Sequence, residues 1–218
     1  RDNSGIQLSE NGKYILGFDT TSNSIQAYRL NKNINDNSYT FIPATTTGTI
    51  NSDSIQNLKI ANNGRIFLLK DSQILIYDLI SDGEDYYYDN SFTHNDSTIN
   101  NSLDITQDGK YFAYNFNNSS VKVYKEKDGS NNDWFELGSI TGLSINQNSK
   151  LEIYQEQNNK DDIRIIINND ISVNIVNLDN SLNLFSIDNS GTEFSSTYNR
   201  LVIGNKSDKN VYVYNLNK

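Results

Sequence analysis

Residues Asp108 to Gly142 read DGKYFAYNFNNSSVKVYKEKDGSNNDWFELGSITG. An Asp-Gly pair opens the stretch, and Gly109 supplies the positive φ that a tight turn between strands needs. Tyr111, Phe112, Ala113 and Tyr114 then follow with no charged or amide residue between them. A strand wet on one side alternates apolar and polar residues, so this unbroken run predicts a strand buried on both faces. NFNNS leads into a second strand, VKVY, and KDGSNND leads into a third, WFELGSI. Apolar spacing of three and four is missing between them, which removes the helical crossovers of a parallel sheet.

Outward from this stretch the same order recurs. NGKYILGF is followed by SIQAYRL, NGRIFLLK by QILIYDL, NSKLEIYQ by DIRIIIN, and YNRLVIGN by NVYVYNL. Gly12, Gly64, Gly109, Ser149 and Asn199 stand just ahead of the first strand of each copy, a period of roughly 40 to 50 residues, which is the signature of blades in a β-propeller. Ile66 to Leu69 and Val211 to Tyr214 are also unbroken runs, as stacked blades require of strands covered on both sides. The expected fold is therefore all-β: one small propeller domain over the whole chain, with about five blades of antiparallel strands and the last incomplete. The repeats fall at about 5–50, 54–95, 101–140, 142–178 and 192–218. In the fourth, LSIN, KLEIYQ, DIRIIIN and SVNIVNL are read as the strands, and Asn180 to Thr192, with NLFSID, as an insertion between blades. The single proline, Pro43, suits an outer strand, where an edge can spare its missing N–H.

Composition bounds the function. The net charge is −9 and no cluster of Lys or Arg occurs, which argues against tracking nucleic-acid phosphates. No stretch approaches the roughly 18 to 20 apolar residues of a membrane-spanning helix. Cys is absent, so neither disulfides nor thiolate metal sites can form. Fourteen Tyr, nine Phe and one Trp carry much of the buried area in a chain that is only 35% hydrophobic. Asn makes up about one residue in six, the skew of AT-rich codons. A chain beginning at Arg1 rather than Met suggests processing, or a segment of something longer.

The third copy resembles the propeller repeats of the FG-GAP-like class, in which a DG turn, a short apolar strand, a V-x-V-Y strand and a W-x-x-x-G-x-x-x-G stretch follow one another. Asp108, Gly109, Val121, Val123, Tyr124, Trp134, Gly138 and Gly142 occupy those places. Trp-Asp and YVTN-type repeats share the DG turn and the V-x-V-Y strand and are near alternatives. The resemblance implies a binding module of an extracellular, cell-surface or virion assembly. It does not imply calcium, because the D-x-D-x-D-G loop of the calcium-binding form is missing.

Candidate sites follow from residue type. Tyr86, Tyr87, Tyr88, Phe92 and Trp134 concentrate aromatic surface on outer strands, where blade packing competes with stacking on a sugar or anchoring a protein. Asp128, Ser130, Asn132 and Asp133 alternate oxygen ligands as a calcium loop does, as do Ser81, Asp82, Glu84 and Asp85, but both read as solvated hairpin tips. His94, the only histidine, lies among polar loop residues and reads as surface. No two carboxylates are placed by the repeats on inner strands facing one cavity, so the expectation is no catalytic residue, no metal and no cofactor. A protein is the expected partner and a carbohydrate the alternative; a glycosidase comes last.

Overall fold

The computed structural model describes residues 6–19, 24–33, 35–46, 55–82, 85–117, 119–129, 133–143, 145, 149–155, 163–169, 172–178, 183–188, 193–197, 200–205 and 209–215. Among these there is no helix. The first blade holds β1 (Ile6–Leu8), β2 (Tyr14–Asp19), β3 (Ser24–Lys32) and β4 (Tyr39–Thr46), and the second holds β5 (Ile55–Ile60), β6 (Ile66–Lys70), β7 (Gln73–Asp82) and β8 (Asp85–Asn95). The third has β9 (Ile99–Ile105), β10 (Tyr111–Phe116), β11 (Ser120–Glu126) and β12 (Trp134–Thr141). The fourth has β13 (Lys150–Gln155), β14 (Ile163–Asn168), β15 (Ser172–Asn177) and β16 (Asn183–Asp188), and the incomplete fifth has β17 (Glu193–Thr197), β18 (Arg200–Asn205) and β19 (Asn210–Asn215). Strands pair antiparallel in chain order within every blade. The arrangement is a small β-propeller of four blades and a partial fifth, with inner strands β1, β5, β9 and β13 successively side by side. The first two blades also join edge to edge, since Thr45 and Thr46 of β4 pair parallel with Tyr87 and Tyr88 of β8. Pro43 lies just before that shared stretch.

The corners explain why the copies fold alike. Gly12, Gly64 and Gly109 have φ of 70°, 89° and 70°. Their N–H groups donate to the carbonyls of Ser9, Ala61 and Thr106 at 2.8, 3.0 and 2.9 Å. The Asn or Asp before each glycine accepts the N–H two residues on, from Lys13, Arg65 and Lys110, at 3.0 Å in all three. Each corner is thus a tight turn closed by a left-handed glycine and braced by an Asx side chain.

Alternation along the third strand sets what each blade shows its neighbours. Counting from the first residue of β3, β7, β11 and β15, positions two and four point to the following blade. Ile25 and Ala27 meet the second blade, Ile74 and Ile76 the third, Val121 and Val123 the fourth, and Val173 and Ile175 the fifth. Position five points back, through Tyr77, Tyr124, Val176 and Tyr214. Between positions four and five the outer strands of blades two, three and four each carry one extra residue, Ser91, Leu137 and Leu184. Such bulges raise local twist and bend the strand.

Two expectations are corrected. Leu143 and Ile145 of LSIN lie outside any strand, whereas Asn183–Asp188 forms β16 beside β15. KLEIYQ is consequently the inner strand of its blade. Its alternation is the mark of an inner strand, and the nearly unbroken run IRIII is the middle one. The run Val211 to Tyr214 is not buried on both faces: Val211 and Val213 are 69% and 60% exposed, because no described blade covers their side. Ile66 to Leu69 and Tyr111 to Tyr114 are buried as expected.

Candidate functional site

The shift in the fourth blade brings together three ionisable groups from consecutive inner strands. Lys59 stands between Leu58 and Ile60, Asp104 between Leu103 and Ile105, and Glu152 between Leu151 and Ile153, so alternation turns all three away from the apolar side of their strands. Lys59 Nζ lies 2.7 Å from Asp104 Oδ1. The Ile153 N–H, on the free edge of β13, donates to Asp104 Oδ2 at 2.9 Å. Tyr154 donates its hydroxyl proton to Glu152 Oε2 at 2.7 Å. The charge of Asp104 holds the Lys59 ammonium pKa above its ordinary value. Burial pushes Glu152 up to about 7, with Asp104 adding to the effect and Tyr154 opposing it. Two carboxyl groups thus stand near one another, as in an acid–base pair, yet both Asp104 oxygens are engaged, one by an ammonium and one by a backbone amide.

A second constellation fills the seam between blades two and three. Arg65 occupies the corner position held by exposed Lys13 and Lys110 in the adjoining blades, but it turns inward and is buried. Its Nε donates to Asp78 Oδ1, Nη1 to the Gly109 carbonyl at 3.0 Å and Nη2 to Glu126 Oε1 at 2.8 Å. Burial works against the guanidinium charge, and the bonds to Glu126 and Asp78 outweigh it, so the pKa is raised. The guanidinium carbon also sits 5.5 Å from the Trp134 ring centre.

Farther out, His94 Nε2 lies 3.0 Å from the Tyr114 hydroxyl, which donates to Asp96 Oδ2 at 2.9 Å. Because that proton goes to the carboxylate, His94 Nε2–H is the donor to Tyr114. Burial lowers the His94 pKa against the pull of Asp96, and burial raises that of Tyr114. Lys122 Nζ closes the group, 3.7 Å from Asp96 and 3.6 Å from Glu136. The result is a fixed polar chain with a protonated phenol at its centre. Sequence reasoning placed His94 on the surface. Its alternation with Phe92 along one strand was the signal that both rings enter the seam, where they stack at 6.4 Å.

The predicted aromatic residues divide. Tyr88 is 1% exposed and belongs to the core between blades one and two. Tyr87 is half-buried, and the Tyr86 side chain lies outside the described residues. Phe92 and Trp134 pack against the aromatic core between blades two and three, their ring centres 6.1 Å apart. Surface aromatic and aliphatic area appears instead at Tyr39 and Phe41 of β4 and at Phe135 and Leu137 of β12. In the hairpin loop with alternating oxygen ligands, Asp128 lies 3.9 Å from Lys125 and Asp133 lies 3.7 Å from Lys127, with Ser130 and Asn132 outside the described residues. In the other loop Glu84 and the side chains of Asp82 and Asp85 lie outside them as well. Among the described residues no three His, Asp or Glu are grouped to hold a metal ion.

Compared with known proteins, the chain matches no protein-family model and no curated sequence.

Proposed function

We propose that the chain is a non-catalytic binding or structural module, built of FG-GAP-like repeats, that holds a protein partner within a surface or virion assembly. The observation that carries this reading is the exposure of Phe135 and Leu137 on the outer strand of the third blade, beside half-open Glu136. Aromatic and aliphatic anchors next to a polar rim are what protein interfaces use. The ionisable groups that could do chemistry are occupied: Asp104 by Lys59 and a backbone amide, Arg65 by two carboxylates and a carbonyl. That weighs against a glycosidase, which needs one carboxylate free as nucleophile or base. The DG turns and V-x-V-Y strands support the repeat class. For the test, wild type and a Phe135→Asp, Leu137→Asp double variant are immobilised side by side and exposed to the proteins of the source. Retention of one defined protein by the wild type alone is expected, and equal retention by both rejects the reading.

Carbohydrate binding has one observation in its favour, an open cleft of about 550 Å³ beside the second blade, lined by Asn63, Arg65, Asp78, Asp89, Asn90 and Ser91 among others. Amide, hydroxyl and carboxylate groups of this kind suit a polyol. Among its described lining residues there is no aromatic ring on which a sugar could stack. A glycan array with an Asn90→Ala control decides it.

A further inference from the structure

A carboxylate ties blade three to the inner edge of blade four. β13 is an edge strand of its sheet, and its Ile153 N–H donates across the seam to Asp104 Oδ2 at 2.9 Å. That amide belongs to the peptide bond joining Glu152 to Ile153, so the Asp104 carboxylate rests against the backbone of a second acid. Register explains the meeting. Lys59, Asp104 and Glu152 pair with Phe67, Ala113 and Ile166, and each of these three packs in the seam with the following blade. The ionisable side chains therefore extend from consecutive inner strands in the same sense around the molecule. Lys59 meets Asp104 at 2.7 Å, and the Asp104 side chain is only 13% exposed, so little water screens a charge placed next to it. Tyr154 donates to Glu152 Oε2, a bond that a neutral carboxyl oxygen and a carboxylate both accept.

We infer that Glu152 and Asp104 form a proton-operated latch on the inner edge of the seam between blades three and four, closed while Glu152 carries a proton and released when that proton leaves to solvent. Once ionised, Glu152 sets a second negative charge against the carboxylate that holds Ile153. Asp104 relieves the repulsion by giving up the Ile153 N–H, and β13 parts locally from β9.

The groups facing Glu152 set the balance. Burial and the charge of Asp104 favour its protonated form, whereas the Tyr154 hydroxyl, Lys59 and Lys150 favour the ionised one. Among the described side chains, Arg164, opposite Tyr154 on β14, and the stacked Tyr212 and Tyr214 of β19 complete the ionisable groups on the elements packed there. In the open state Glu152 is hydrated and apart from Asp104, so it releases its proton at lower pH than in the closed state. Closure is accordingly complete in acid and is lost as pH rises from about 4.5 through about 7. Phe135 and Leu137 of β12 take no part, so the latch and the proposed partner surface are tested separately.

The experiment is residue-resolved amide exchange by NMR on the whole chain, from about pH 5 to about pH 8, with the pH dependence of free-peptide exchange divided out. Protection of the Ile153 amide should fall at least about tenfold across that range. The reference is the Leu178 N–H, bonded within the same blade to the Ile163 carbonyl at 2.9 Å, whose protection should hold. Glu152→Gln keeps the shape and cannot ionise, so its Ile153 protection should stay constant. Two further variants move the midpoint, followed in the Glu152 carboxyl carbon shift, in opposite directions. Asp104→Asn lowers it by removing the opposing charge, and Tyr154→Phe raises it by removing a bond that favours the ionised form. Constant Ile153 protection in the wild type overturns the inference, as does an equal fall in Glu152→Gln. A fall at Leu178 in step with Ile153 overturns it too, because the blade is then unfolding as a whole. Where Glu152→Gln does not fold, the other two variants decide: midpoints that shift together, or not at all, reject the latch.

Discussion

The seam between blades two and three and the seam between blades three and four use the same repeat positions and opposite chemistry. The first is built of rings and ions: Phe67, Phe112, Tyr114 and Tyr124 are buried there, with Phe112 and Tyr124 parallel at 5.0 Å, and Arg65 ties both blades together through Asp78, Glu126 and the Gly109 carbonyl. The second is aliphatic, with Val121, Val123, Ile163, Ile165 and Ile167 at its centre. The repeat thus decides which positions meet, while their chemistry is free to vary. Directional contacts fix one geometry, and aliphatic contacts tolerate small changes of fit.

The largest effect should come from breaking the ionic tie. Arg65→Met leaves Asp78 and Glu126 without their cation and should cost about 3–5 kcal/mol in chemical denaturation. Ile165→Val in the aliphatic seam should cost about 0.5–1.5 kcal/mol. Similar costs for the two would erase the contrast. Glu152, at the inner edge beside the second seam, comes next. Its folded pKa of about 7 lies above its unfolded value, so the folded state keeps a proton that the unfolded state has released. Stability contributed at low pH is therefore lost as pH rises from about 4.5 through about 7. Glu152→Gln should leave stability at pH 4 unchanged and raise it at pH 8 by on the order of 2 kcal/mol; a gain equal at both pH values would refute the assignment.

Smaller effects sharpen the comparison. A Cβ on Gly109 would lie 2.8 Å from the Ala61 Cβ across the first seam, whereas one on Gly12, at the same φ, meets nothing within 4 Å. Gly109→Ala should cost about 1 kcal/mol more than Gly12→Ala, since both incur the left-handed strain and only one the clash. In the aliphatic seam Asn115 is fully buried with neither amide atom hydrogen-bonded. Asn115→Val should raise the melting temperature, with a gain of about 1 kcal/mol.

The architecture was legible because it is written in local signals. NG and DG corners, unbroken apolar runs and third strands of V-x-V-Y type each follow from turn sterics and alternation within a few residues. The fourth blade was misread because NSK imitates a corner, which moved every strand of that repeat by one place. That shift concealed Glu152, whose meeting with Asp104 depends on both being inner-strand residues. Arg65 was hidden differently. It differs from Lys13 and Lys110 only by being Arg, and its inward turn depends on Asp78 and Glu126, one from each of two blades. Contacts between repeats depend on register and stacking, and a sequence states those only once every strand has its place.

The corner geometry has a bearing on chemical ageing. Asn followed by Gly is the pair most prone to deamidation, which requires the glycine nitrogen to attack the asparagine side-chain carbonyl. At Asn11 and Asn63 the glycine N–H is committed to the carbonyl three residues back, and the side-chain oxygen is held by the N–H of the residue after the glycine. The same bonds that shape the turn hold the two reacting groups in other directions, so folding should slow this reaction at Asn11 and Asn63 relative to the unfolded chain.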